Sequence, residues 1–188
     1  MTDYHSHILP GMDDGSRSVE ESLSLLREEV RQGIDTVVMT PHFYSGQNSP
    51  RRFLKRRFDS FQKLLPRLDR SCPRIILGAE VQFFPGISDC EDLSLLTIGQ
   101  TKLLLLEMPF APWTSQNIHE VEVLVRERGF NVLIAHLERF IWIPGNKKGI
   151  RSLLEIPVRI QINSEGLQDW RHRRYLLKMF RSGSAHVL

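Results

Sequence analysis

Three observations in the sequence predict an α/β fold built on parallel strands. Short β-type runs recur six or seven times along the chain, and most are followed by a helical stretch. Most of these runs are apolar throughout, as in strands buried on both faces, instead of alternating. Ligand-type side chains stand at the C-terminal ends of successive runs. With 188 residues, 41% of them hydrophobic and 25% charged, the chain reads as one domain over 1–188 with a sizeable core.

The elements follow in order. A strand over Asp3–Ile8 leads to a helix announced by the capping-box sequence Ser18-Val-Glu-Glu21. Val19, Leu23, Leu26 and Val30 form its inward stripe, and Gly33 stands where a C-terminal cap belongs. After a strand over Thr36–Thr40, Pro50 opens a second helix carrying Phe53, Leu54, Phe58, Phe61, Leu64 and Leu68, with a break at Pro66. Strands over Arg74–Glu80 and Thr101–Glu107 come next. A third helix is capped by Ser115 or Asn117, turns Ile118, Val121, Leu124 and Val125 inward, and ends at Gly129. Strands over Asn131–Ala135 and Val158–Ile162, a helix over Leu167–Ser182 and a last strand starting near His186 complete the chain.

Strands alternating with helices suit either a barrel or a doubly wound sheet. The polar residues favour the barrel. His5, His7, His42, Glu80, Glu107 and His136 all stand at strand ends, and only a closed parallel barrel brings such ends to one mouth. His5 and His7, two apart on an extended run, reach the same side of it. Asp14 follows in the Gly-flanked turn Gly11-Met-Asp-Asp-Gly15, and Pro41 holds the residue before it extended, so that His42 lies beyond its strand. Glu80 and Glu107 each end an apolar run, where an unpaired carboxylate would be costly. Mixed imidazole and carboxylate ligands suit Mn²⁺, Fe²⁺ or Zn²⁺.

Each residue taken singly has a plainer reading. His136 fits a hydrogen-bonded core histidine, Glu107 a partner of Arg139, and Asp13 or Asp14 simple turn chemistry. His119 and His172 lie in charged helical stretches and read as exposed and without a role. Trp113, Trp142 and Trp170 share no spacing and read as packing residues.

Composition narrows the rest. Cys72 and Cys90 read as free thiols, and neither begins a C-x₅-R loop, because Gly78 and Leu96 stand six residues on. The formal charge is +3, with basic clumps at Arg51, Arg52, Lys55, Arg56 and Arg57 and from Arg171 to Arg174. They read as solvated helix faces, or as a docking patch for an acidic peptide or an anionic membrane surface. The N-terminus lacks the features of a signal peptide, and the run Leu103–Leu106 is far below the roughly 20 residues of a membrane span. The expected location is cytoplasmic, with no nucleic-acid partner and homo-oligomerisation left open.

The strings "DYHSHILPGMDDGS", "VVMTPHFYSG", "LGAEV", "LLLLEMPF" and "AHLERF", in this order, resemble the polymerase-and-histidinol-phosphatase (PHP) superfamily. Within it, the chain is most similar to bacterial manganese-dependent protein-tyrosine phosphatases of the CpsB/YwqE type. The resemblance implies a distorted (β/α)₇ TIM-like barrel, the PHP fold, with up to three metal ions. It implies that His5, His7 and Glu80 hold a first ion, that Glu80, Glu107 and His136 hold a second, and that Asp14 and His42 hold a third. Arg139 would clamp the phosphate, and His42 is a further candidate for proton transfer. The implied partner is the tyrosine-phosphorylated tail of a capsular or exopolysaccharide-biosynthesis autokinase. Leu137 stands where the family usually has proline, and Phe140 where tyrosine is common. The family closes its barrel with a strand ending in Asp-x-His. This chain stops at His186-Val-Leu188, so the last strand and the helix after it are expected to be incomplete and the C-terminal part of the domain missing, with two sites one ligand short.

Tyrosine is a favourable leaving group, with a pKa near 10, so it needs less proton donation than an alkoxide. The basic helix and an exposed "FFPG" turn after Glu80 fit a protein substrate. Histidinol phosphate or another small phosphomonoester is the alternative substrate, and a weakly active or inactive phosphate-binding chain is the alternative class.

Overall fold

A computed structural model describes residues 1–187, which form two compact units, one of Met1–Val81 with Glu91–Thr101 and the other of Gln82–Cys90 with the chain from Lys102 onward. The architecture is mixed α/β with parallel sheets. No helix among the described residues is long and apolar enough to cross a membrane.

In the first unit, β1 (Thr2–Ser6), β2 (Thr36–Met39) and β4 (Arg74–Leu77) form a parallel sheet in the order β1-β2-β4. Val37, Val38 and Met39 are fully buried in it, which is why this strand reads as a continuous apolar run. The run expected over Arg74–Glu80 is in fact two strands. It breaks at Gly78-Ala79 and resumes as β5 (Glu80–Gln82), which pairs with β3 (His42–Phe43) in the register His42↔Glu80. A Cβ on Gly78 would lie 3.0 Å from Ile98 Cγ1 and 3.3 Å from Thr40 Cγ2, so only glycine lets the chain turn this close to its neighbours. The companion run breaks likewise, because Pro41 cannot donate to a ladder. His42 and Glu80 therefore begin short second strands rather than ending long ones.

Helix α1 (Val19–Arg31) is capped by Ser18, whose side chain accepts from the Glu21 amide at 3.1 Å. The reciprocal bond reaches one residue further back than the expected box, from Arg17 N to Glu21 Oε2 at 2.7 Å. Leu23 and Leu26 are buried as expected, whereas Val30, expected inward, is 41% exposed. Helix α2 (Pro50–Leu64) starts at Pro50 and gives way at Pro66 to a short 3₁₀ turn. Its inward face holds Phe53, Arg57, Ser60 and Leu64, and Phe58, expected inward, is 57% exposed.

The basic clump on α2 is exposed except at Arg57, and part of it is paired. Arg51 grips Asp92 with two bonds at 2.9 and 3.0 Å, Lys55 pairs with Asp59 at 2.7 Å, and Arg56 donates to Met12 O. Arg57 is buried, donates to Gly78 O at 2.5 Å, and has its pKa lowered to about 10 by that burial.

In the second unit, β6 (Leu103–Glu107), β7 (Asn131–Ile134) and β8 (Arg159–Ile160) run parallel, with Leu106 opposite Ile134 and Ile134 opposite Ile160. Val187 adds a single parallel bridge to Gln161, where the last strand is expected to start; Leu188 lies outside the described residues. Helix α3 (Ser115–Arg126) is capped by Thr114 rather than by Ser115 or Asn117, with Asn117 completing a capping box. Two helices not expected from the sequence follow β7, α4 (Glu138–Ile141) and α5 (Asn146–Leu153). Helix α6 (Trp170–Arg181) begins three residues later than expected, after a 3₁₀ turn.

Further expectations change here. His172 is half-buried, with its ring stacked on Trp142 at 3.9 Å and Nδ1 3.1 Å from Asp169. The "FFPG" turn is not a free surface element, because Phe83 is buried. The Glu120 carboxylate also accepts from Gly86 N at 3.0 Å and Ser88 N at 2.9 Å.

Candidate metal centre

The first unit gathers His5, His7, His42 and Glu80 around a single atom. Glu80 is fully buried, and its Oε2 lies 3.0 Å from His5 Nε2, 3.2 Å from His7 Nε2 and 3.1 Å from His42 Nδ1. His5 Nε2 and His7 Nε2 are themselves 3.1 Å apart. His42 Nδ1 is buried and makes no hydrogen bond. Ring nitrogens converging on one carboxylate oxygen, one of them buried and unbonded, make a donor set that could hold a divalent cation. The residues present fit such an ion. His5, His7 and Glu80 offer one ligand group, with donor atoms within 4.8 Å of one another, and His7, Asp14 and His42 offer a second on the same terms.

The spacing of the histidines explains the first half of this arrangement. His5 lies on β1 and His7 just beyond its end, on the same side, while the β3–β5 register sets His42 beside Glu80. The turn Gly11-Met-Asp-Asp-Gly15 supplies the rest. Asp14 is exposed, with Oδ1 3.8 Å from His42 Nε2. Asp13, read from the sequence only as turn chemistry, is the residue that reading missed. Its Oδ2 lies 2.7 Å from His7 Nδ1 and accepts from His42 N at 2.9 Å, and its Oδ1 accepts from Gly15 N at 3.1 Å. One carboxylate thus orients two candidate ligands, the usual task of a group behind a metal-bound imidazole.

Burial alone would lower the pKa of His7, but the bonds to Asp13 and Glu80 outweigh it and raise it to about 10. The ring is therefore protonated at neutral pH, and an ion binding at Nε2 must displace that proton. Metal uptake is expected to release a proton at neutral pH. Asp13→Asn is expected to weaken uptake about 10- to 100-fold with the fold retained, measured by titration calorimetry in buffers of different ionisation enthalpy.

The second unit brings two further expected residues together. Glu107, at the end of β6, and His136, just past β7, are both buried, with Oε1 and Nε2 3.4 Å apart. Glu107 thus partners His136, where a pairing with Arg139 was the plainer reading. His136 is the one described non-glycine residue at positive φ, +32°, held there by its amide donating to Gln161 Oε1 at 2.7 Å. A non-glycine residue in this region is strained by about 1–3 kcal/mol. Arg139 opens into solvent in the first turn of α4. His186, beside the last bridge, accepts at Nδ1 from Ile160 N at 3.1 Å, a structural role.

The sequence model described as "Capsular polysaccharide synthesis, CpsB/CapC" matches residues 1–188. The chain belongs to this family. It is 32% identical over 173 residues to the tyrosine-protein phosphatase YwqE of Bacillus subtilis, covering 89% of this chain and 66% of that protein. It is also 32% identical over 167 residues to the tyrosine-protein phosphatase CpsB of Streptococcus pneumoniae, covering 87% and 68%. The chain thus spans about two thirds of the length of these relatives. Among solved structures it is similar, at TM-score 0.79 and 26% identity, to one from a study of B. subtilis YwqE and S. pneumoniae CpsB, described as unique metal-dependent tyrosine phosphatases. That likeness covers 99% of this chain and 76% of the other. The solved relatives are thus described as metal-dependent, and the His5, His7 and Glu80 group of this chain is one that could hold a metal ion.

Proposed function

We propose that this chain is a metal-dependent protein-tyrosine phosphatase acting in capsular polysaccharide synthesis. The observation that carries the reading is the convergence of His5, His7 and His42 on Glu80 Oε2, in a member of the CpsB/CapC family. In this reading His5, His7, Asp14, His42 and Glu80 are metal ligands, Glu107 and His136 are ligands too, and up to three ions are held. The ions, Mn²⁺ by resemblance with Fe²⁺ and Zn²⁺ compatible, would polarise the phosphoryl oxygens and lower the pKa of a bound water.

The remaining work falls to the protein's own groups. Asp13 keeps the rings of His7 and His42 in place. Arg139, always charged and shaped as a fork, binds two phosphate oxygens. An imidazole not fully committed to metal, His42 being the candidate, passes a proton. Tyrosinate leaves without a strong acid because its conjugate phenol has a pKa near 10. The substrate is phosphotyrosine on the tail of a polysaccharide-biosynthesis kinase, met in the cytoplasm. The distorted (β/α)₇ barrel, with 1–188 acting as one phosphatase domain, belongs to the same proposal.

The test is chelation followed by re-addition of metal. Stripped protein is expected to lose hydrolysis of p-nitrophenyl phosphate and to regain it with Mn²⁺, and to prefer a phosphotyrosyl peptide over histidinol phosphate. Undiminished turnover in protein verified as metal-free would refute the mechanism. A preference for histidinol phosphate would refute the substrate.

A further inference from the structure

Phe110 is 58% exposed, an unusual position for a phenyl ring so close to buried polar groups. It stands three residues beyond Glu107, and one face of its ring stacks on His136 at 6.3 Å between centroids and 23° between planes. Phe140, fully buried, supports it from the side at 4.8 Å and 44°. Such offset and tilted arrangements are the ones that aromatic rings prefer.

The perch is held firmly. Pro109, immediately before it, offers its carbonyl to the indole Nε1 of buried Trp113 at 3.0 Å. The Trp113 amide in turn donates to Oδ1 of Asn146, which is wholly buried, at 2.7 Å, and Asn146 Nδ2 donates to Phe140 O at 3.2 Å. One closed set of bonds thus links the loop carrying Phe110 to the residue that props its ring. Packing on His136 and Phe140 orients the ring, so its remaining surface is offered to a ligand without the ordering cost that a mobile side chain would incur.

We propose that Phe110 is the residue by which the site selects aryl over alkyl phosphomonoesters, forming the wall on which the phenol ring of the substrate stacks while its phosphoryl group lies at the adjoining Glu107–His136 pair. This rests on the phosphatase reading above and adds to it the group that recognises the tyrosyl ring. An alkyl phosphate has no π-face, so the wall favours the aryl ester selectively.

The experiment compares kcat/KM for O-phosphotyrosine and for glycerol 2-phosphate in metal-loaded wild type, Phe110→Ala and Phe110→Tyr, with thermal melts of all three. The aryl-to-alkyl ratio is expected to fall about tenfold in Phe110→Ala, chiefly through KM for the aryl ester, and to be restored in Phe110→Tyr. An unchanged ratio in Phe110→Ala would overturn the proposal. So would a proportional loss on both substrates, which marks a merely structural role. A wild type without measurable aryl phosphatase activity would overturn the phosphatase reading itself. The two failures are therefore distinguishable, because only the second appears before any substitution is made.

Discussion

Glu80→Ala is expected to cost the protein its bound metal and to lower kcat/KM for phosphotyrosine at least about a thousandfold, which corresponds to roughly 4 kcal/mol of transition-state stabilisation. Glu80 supplies an oxygen within 3.2 Å of three imidazole nitrogens, one each from His5, His7 and His42. Deleting it leaves His5, His7 and His42 around a gap without the oxygen on which they converge. Glu80→Gln keeps the volume and loses the charge, so it separates a ligand role from a packing role. It is expected to share the defect while retaining a native circular dichroism spectrum. Metal content by mass spectrometry and turnover of p-nitrophenyl phosphate measure both effects. Normal metal content in either variant would remove Glu80 from the ligand set.

The second large effect is expected at Gly15. A Cβ there would lie 2.1 Å from the His7 carbonyl oxygen and 2.4 Å from His7 Cβ, contacts that no relaxation of a flexible side chain can relieve. The turn is closed by Ser16 N donating to His7 O at 2.9 Å and by Gly11 N donating to Ser16 O at 2.8 Å. Admitting a methyl group would force it open and carry Asp13 away from His7. Gly15→Ala is therefore expected to destabilise the protein by about 2–4 kcal/mol and to weaken metal binding with it. Gly46→Ala, where nothing lies within 4 Å, is the matched control and is expected to be close to neutral. Denaturant melts of the two, with and without metal, measure the difference. Equal stability of both would mean that the turn yields far more easily than its bonds suggest.

Several site residues carried a local signal in the sequence. The two-residue spacing of His5 and His7, the proline before His42 and the lone carboxylates after apolar runs are short-range patterns. They were readable because strand periodicity and burial cost act within a few residues. Asp13 was not readable as a partner of His7, since that contact needs the chain to double back through a glycine turn. The same holds for the restart of the chain at His42 and Glu80, where the break depends on Ile98 packing against Gly78 from far along the chain. Helix α2 shows how tertiary contacts override a stripe. Arg57 takes the inward position next to Phe53 because the Gly78 carbonyl is there to receive it, and Phe58 is left in solvent. The helices α4 and α5 are too short, at 4 and 8 residues, for periodicity to announce them.

The pairing of β3 with β5 has a consequence for how an ion is held. His42 and Glu80 are opposite partners in one ladder, with Glu80 N also bonded to Pro41 O at 3.1 Å. Their anchor points cannot drift apart unless backbone bonds break, so breathing of the sheet carries both along as a rigid jaw. Asp14 lies outside this ladder, on a turn pinned by its neighbour Asp13, which accepts from His42 N at 2.9 Å. A cation held by both His42 and Glu80 would thus meet donors whose spacing is set by main-chain bonds.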